Sequence, residues 1–321
     1  MRDRGEIYSV LLDGSGGATA APPDLPVPAG PAVHWLHLPR NQPDTLHLLT
    51  NCGVDSYVID ALLADETRPR CTVHDRGVLL NLRGVNLSPG AEPEDMISVR
   101  FWIEAHRVIG VWRRPLQAVE DVIAGIGRGS APRTPGDLIS RIALRLADRA
   151  EPSVTTLNES IDALEEELLT PGADVSAQSL SATRRSAIIL RRYMLPQRDA
   201  LSTLEIEDLD WLGERDRAHL REAAERITRL GEDLETIRDR AQVIHEQVME
   251  HRSERMNRQM LVLSVVAAVF LPLGLLTGLL GINVGGIPLA DKPYGFVTVC
   301  GVLLAVAAGL VWFFRRIGMF R

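Results

Sequence analysis

The residues best placed to do chemistry lie near the C-terminal end. Gly281-Ile282-Asn283 closes the uncharged run Leu261 to Gly281. Glycine lets the backbone turn tightly at a helix end. Asn283 adds an amide carbonyl, a neutral oxygen that accepts a hydrogen bond from water on a hydrated cation. Repeated around a symmetry axis, it makes a ring of neutral oxygens, which suits an ion such as Mg²⁺ that dehydrates reluctantly. Stepping upstream by threes and fours gives a stripe of Asn257, Met260, Ser264, Ala267, Leu271, Gly274 and Gly278. These are polar, small or flexible, whereas positions 261–263, 265, 266, 269 and 270 are all Leu, Val or Phe. Polar rings alternating with apolar constrictions fit a pore that gates by dewetting. Glu250 and Glu254 lie just below, where symmetry turns each into an acidic ring that concentrates cations. The residues alone also allow a plainer meaning. Small residues and a GxxxG pair more commonly serve close helix packing in membranes, and Glu254 fits a solvated helix face equally well.

Other chemistries are not written in the chain. There is no P-loop, no dinucleotide fingerprint, no HExxH and no GxSxG, so neither ATP-driven work nor a familiar enzyme is expected. The net charge of −7 argues against nucleic acid as the main partner. Cys52, Cys71 and Cys300 show no CxxC spacing, against a disulfide framework or a thiolate cluster. The histidines do not cluster at zinc-ligand spacing. His245 and His251 do not share a helix face, and His34 and His37 point to opposite faces of a strand. A dehydrated tetrahedral zinc ion needs His or Cys ligands, and the apolar segments offer only Cys300. Passage of a hydrated or loosely held ion is therefore expected. Zinc can also bind cytoplasmic His and acidic side chains as a regulatory ion, but the sequence places no such site. No cofactor is expected.

Two elements must carry these residues through a membrane. Leu261 to Gly281 and Phe296 to Phe314 carry no charge, and each is about the length of the hydrocarbon core, ~30 Å. Arg252, Arg255 and Arg258 precede the first, and Arg315, Arg316 and Arg321 follow the second, while the connecting loop holds only Asp291 and Lys292. Positive charge stays on the cytoplasmic side, so both termini are expected in the cytoplasm. No apolar leader opens the chain. Tyr294, Trp312, Phe313 and Phe314 fall where interfacial aromatics belong.

The first 133 residues are expected to be α/β. Strand candidates are Glu6 to Leu12, Val33 to Leu38, Arg70 to His74, Val78 to Asn86, Met96 to Glu104 and Val108 to Trp112. Pro43 to Cys52 and Tyr57 to Ala64 read as helices, and Gly14 to Pro31 as a loop. Thr134, Pro135 and Asp137 mark a helix start. Ser153 marks a second, ended by Thr170-Pro171-Gly172, and a third helix runs from Leu180 to Leu204 with a kink at Pro196. From Glu214 no proline occurs before Pro272. Leu220, Ala223, Ile227, Leu230, Leu234, Ile237, Ala241, Ile244 and Val248 repeat every 3.5 residues, the seam of a coiled coil. One helix is therefore expected from Glu214 to about Gly281, with the earlier helices, copies of itself, or both against the seam.

Two spans per chain enclose no channel, but a homo-oligomer can, with one span from each copy around the axis. At this point the chain resembles the CorA superfamily of divalent-cation channels and transporters. The resemblance covers nearly the whole chain and includes Asn257, Met260, Leu263 and Pro272 upstream of Gly281-Ile282-Asn283, which match the family's Gly-x-Asn motif. It implies an α/β cytoplasmic domain, a long helical stalk and two C-terminal transmembrane helices in a funnel-shaped homopentamer. Leu280-Gly281-Ile282-Asn283-Val284-Gly285-Gly286-Ile287-Pro288 and Leu80-Asn81-Leu82-Arg83-Gly84-Val85-Asn86 are most similar to the ZntB zinc-transporter branch. That implies Zn²⁺ as cargo, with a proton gradient as one driving force. Magnesium-type members carry Tyr-Gly-Met-Asn and an acidic loop. Here Leu289 follows Pro288, and the pair Asp291 and Lys292 leaves the outer mouth nearly neutral.

The expected organisation is 1–133 α/β domain, 134–259 helical stalk with the long helix from about 214, and 260–321 membrane domain. Within the last, the first span is 261–281, the outer loop 282–295, the second span 296–314 and the cytoplasmic tail 315–321. The expected partners are lipid, divalent cations and copies of the chain in the cell's inner (plasma) membrane. The alternatives are a Mg²⁺, Co²⁺ or Ni²⁺ channel on the same scaffold, and a membrane-anchored scaffold or sensor with no pore.

Overall fold

The computed structural model describes residues 6–65, 68–170, 175–282, 287–288 and 292–317. It divides into two compact units, Met1–His245 and Glu246–Arg321.

The first unit is built on a seven-stranded mixed sheet of order β2-β1-β3-β7-β6-β5-β4. The strands are β1 Tyr8–Leu12, β2 Ala18–Ala20, β3 Val33–Pro39, β4 Arg70–His74, β5 Gly77–Gly84, β6 Ile97–Glu104 and β7 Arg107–Trp112. Among the described residues only β3 and β7 pair parallel. They are buried along their whole length, as strands covered on both faces must be. Side chains alternate between faces. Leu36, Leu38, Leu79, Trp102, Ile109 and Val111 share one face with Leu49, Val58 and Leu62 of α1 (Pro43–Asn51) and α2 (Ser56–Leu63). On the other face, α4 (Pro135–Leu169) and α5 (Ala177–Ile206) pack on β5, and α5 also on β4. Gly84 shows how close they come, since a Cβ there would lie 2.7 Å from a methyl of Leu146.

Two elements were not visible in the sequence. The stretch Gly14 to Pro31, expected as a loop, contains β2. Asp13 Oδ1 accepts the backbone N–H groups of Ser15, Gly16 and Gly17 at 2.7, 3.0 and 2.9 Å, and this turn folds β2 back on β1. Helix α3 (Gln117–Gly127) has no side-chain cap and carries two glycines near its end, so its start and stop signals are weak.

Helix α4 begins as expected. Asp137 N–H donates to Thr134 Oγ1 at 2.9 Å, and Pro135 occupies the first turn. Asp137 Oδ2 accepts the Arg133 N–H at 2.9 Å. Ser153 does not start a second helix, because α4 runs through Pro152 without a break. An internal proline costs on the order of 3 kcal/mol. Leu146, Ala147, Ala150 and Val154, buried on both sides of Pro152, hold the two halves in line. Pro196 likewise sits inside α5.

Helix α6 spans Glu214–Leu280, 67 residues or about 100 Å, and contributes to both units. In the first unit the expected seam is buried, with Leu220, Ala223, Leu234 and Ala241 at 0% exposure. Its partners are the chain's own α4 and α5. Arg240 joins Glu165 and Asp162 of α4, and Arg226 joins Asp148. Arg191 of α5 pairs with Glu235 at 3.0 Å. Thr134 Oγ1 also donates to Asp216 Oδ2 at 2.9 Å, tying the start of α4 to α6. Burial raises the Asp216 carboxyl above its ordinary range. Gly136 is required there, since a Cβ would fall 2.5 Å from Asp216 Oδ2.

Leu234→Ala is expected to destabilise the soluble unit by about 2–5 kcal/mol, and Thr134→Ala by about 1–2 kcal/mol through loss of the cap. Thermal unfolding of the full chain in detergent checks both. A wild-type midpoint for Leu234→Ala would contradict the packing of the seam.

Candidate pore and metal-ion path

The second unit contains the distal part of α6 and α7 (Gly295–Arg316). Both helices carry windows long and apolar enough to cross a membrane, with almost none of either window buried within the chain. The little shielding there is follows helical spacing. In α6 it falls on Val265, Val269, Pro272, Leu273, Leu276 and Leu280, and in α7 on Gly295, Val299, Cys300, Leu303, Val306, Ala307, Leu310 and Phe314. Residues three and four apart share one side of a helix, so each span has one partly covered stripe.

The candidate pore residues lie elsewhere on α6. Asn257, Met260, Ser264, Ala267, Leu271, Gly274 and Gly278 are all exposed. Leu271 reaches 79% exposure, among the highest of the large apolar side chains on this helix. A Cβ added to Gly274 or Gly278 would meet nothing within 4 Å. Among the described residues, then, the GxxxG pair packs against nothing in its own chain. Glu250 and Glu254 are exposed too.

The C-terminal end of α6 is closed by Gly281, whose N–H reaches the carbonyls of Thr277 and Gly278 at 2.9 and 3.2 Å. Its φ is not in the left-handed range, so conformational freedom is not its role here. A Cβ would instead crowd the Thr277 carbonyl at 3.1 Å. Ile282 is exposed. Asn283, on which the filter reading depends, lies outside the described residues, as do Asp291, Pro171 and Gly172. Pro272 sits inside α6 and has no N–H to give to the carbonyl four residues earlier. In a membrane such a freed carbonyl is tolerated where it is buried in protein or faces water.

The soluble unit offers few soft metal ligands. Burial drives the His37 imidazole down to about 3, and its ring stacks against Phe101 and Trp112. His34 Nε2 is taken by Ser9 Oγ at 2.8 Å. Burial raises the Cys71 thiol to about 12 and lifts that of Cys52, so neither is a ready thiolate. One ligand set escaped the sequence reading because it is assembled by tertiary structure: Asp55, His74 and Asp75 converge at one place.

Residues 31–316 match the family described as CorA-like Mg²⁺ transporter protein. The chain belongs to that family. As a CorA-like protein with two apolar C-terminal helices, it is a membrane protein of a family of ion transporters and not an enzyme. It is 40% identical to the divalent cation transporter CmaX of Pseudomonas aeruginosa over 98% of this chain and 97% of that one. It is 34% identical to the zinc transport protein ZntB of Pectobacterium atrosepticum, over 98% and 96% of the two chains. The solved structure of full-length CmaX superposes with a TM-score of 0.84 at 39% identity, covering 98% of both chains. The α/β domain, the long helix and the paired apolar helices are thus the CorA-like fold.

Replacing Leu271 by glycine removes the bulkiest exposed group from the middle of the stripe. Leu271→Gly is expected to raise ion leak through reconstituted protein several-fold, measured as dye response without a driving gradient. Unchanged flux would place the constriction elsewhere.

Proposed function

We propose that this CorA-like chain moves divalent metal cations, Zn²⁺ foremost, across the plasma membrane through the centre of a homopentamer. One copy of α6 from each subunit surrounds the path. The observation that carries this reading is the exposed stripe on α6, polar at Asn257 and Ser264 and glycine-lined at Gly274 and Gly278, which the chain's own second span leaves uncovered. Lipid is a poor partner for Ser264, whereas a shared water-filled axis satisfies it and continues the polar stripe from Asn257 at the mouth.

In this reading Gly281, Ile282 and Asn283 form the outer filter. Five Asn283 carbonyls accept hydrogen bonds from the waters of an incoming ion, so the ion need not shed its shell. Met260 and Leu271 narrow the path, and Ser264 and Asn257 re-wet it. Glu250 and Glu254 form acidic rings at the cytoplasmic mouth. Both termini lie in the cytoplasm, because the arginines flank the two spans on that side. Residues 1–133 and 134–259 form the cytoplasmic domain and stalk, and 260–321 the membrane domain. No chemical step by the chain is involved, so the driving force is the ion's own gradient or a proton gradient.

Zinc as cargo is supported by relatives named zinc transport proteins that match along nearly the whole chain at 30–34% identity. A broader choice of divalent ions is the second reading. It is favoured by the 40% identical relative, whose name specifies no single metal, and by a stripe without His or Cys ligands.

Flux into proteoliposomes loaded with a zinc-sensitive dye, with and without an inward proton gradient and with Mg²⁺ as competitor, tests this reading. Zinc entry is expected to fall at least tenfold in Asn283→Ala while the assembly stays intact. Wild-type flux from that variant would overturn the filter assignment. Mg²⁺ entry without Zn²⁺ entry would move the cargo to the magnesium side of the family, and absence of both would leave a scaffold.

A further inference from the structure

Asp55, His74 and Asp75 take no part in the path described above, yet they place an imidazole between two carboxylates. Asp55 caps the N-terminus of α2, His74 ends β4, and Asp75 follows in the turn to β5. His74 Nε2 lies 2.5 Å from Asp55 Oδ2 and 3.9 Å from Asp75 Oδ2. One ligating atom from each residue falls within 4.8 Å of the other two. Donors around a tetrahedral zinc ion sit about 3.3–3.5 Å apart, given metal–ligand bonds of about 2.0–2.2 Å. That spacing falls between the two separations observed here, so an ion is accommodated by shifts of about an ångström.

The surroundings permit the shift and fix its direction. The side chains of His74, Asp55 and Asp75 are 30%, 46% and 81% exposed, so each carboxylate can move and water can complete the shell. Asp55 Oδ1 accepts the Tyr57 N–H at 2.6 Å, which anchors that carboxylate and leaves Oδ2 toward the imidazole. The His74 ring packs 4.9 Å from Tyr57 and 6.3 Å from Trp102, which sets its plane. Orienting contacts of this kind are what fix a ligating imidazole. An ion pair alone is satisfied by Asp55. Asp75 adds a second carboxylate beside the imidazole, so two oxygen donors and one nitrogen donor face the same place.

We propose that Asp55, His74 and Asp75 bind one Zn²⁺-class divalent cation per chain in the soluble unit, with water as the remaining ligand. The mixed nitrogen and oxygen donors suit Zn²⁺, Co²⁺ or Ni²⁺ and disfavour Mg²⁺, which takes oxygen ligands. The proposal rests on the transport reading only for the class of ion the chain encounters.

The test is calorimetric titration of Zn²⁺ into the full-length protein in detergent micelles, comparing wild type with His74→Ala and Asp75→Asn. The expected result is one saturable site per chain in wild type, lost in His74→Ala, weakened at least tenfold in Asp75→Asn and unaffected by hundredfold excess Mg²⁺. Wild-type binding by His74→Ala would overturn the proposal, and so would the absence of a saturable site in the wild type. Should His74→Ala fail to assemble, Asp75→Asn decides, because its side chain lies on an exposed turn; unchanged affinity there overturns the site. Binding is read without flux. A chain that transports zinc but lacks this site refutes the site alone, and one that binds here but passes no ion refutes the transport reading alone.

Discussion

Two helices cannot surround an ion, and hydrocarbon does not solvate a polar side chain. These two constraints govern everything in the membrane half of the chain. A single copy presents Ser264 and a glycine pair on a face that its second span does not cover. Left in lipid, that face is unfavourable at its polar positions and purposeless at its glycines. Turned toward a common axis, the same residues become alternating wet and dry rings. In the proposed assembly the symmetry is therefore part of the path itself, and no ring along that path is complete in one chain.

The soluble half answers a different constraint. The part of α6 that precedes the membrane span is stable in water only if its apolar stripe is covered. The chain does this by itself: α4 and α5 lie along the seam, and Arg226, Arg240 and Glu235 tie it at its edges. A seam filled from within leaves contacts between copies to the other faces of α6. That also explains why α4 tolerates Pro152, since its register against α6 is held by buried side chains on both sides of the proline.

Much of this was legible from the residues. Seven-residue spacing gave the seam, two uncharged runs gave the spans, and Thr134 with Asp137 gave the start of α4. What escaped notice has physical reasons. β2 is three residues of Ala and Thr held by a turn at Asp13, with no apolar run to mark it. α3 lacks a capping side chain. Ser153 had the chemistry of a helix start but sits in a helix already under way, because tertiary packing outweighs the local signal. The trio Asp55, His74 and Asp75 joins residues nineteen and twenty positions apart in sequence, which no spacing rule connects. Asn283 was singled out by its chemistry and by its place at the end of the first span.

The central claim is that one face of α6, and not another, borders the ion path. It is tested most directly by single cysteines placed along the first span in a chain whose Cys52, Cys71 and Cys300 have been replaced by serine. The variants are then exposed to a charged, membrane-impermeant thiol reagent. The account predicts modification, with a fall in zinc flux, at positions 264, 267 and 271, and little at 262, 263, 266 and 270. Reactivity centred on positions 262 and 266, or lacking any three-to-four residue period, would contradict it.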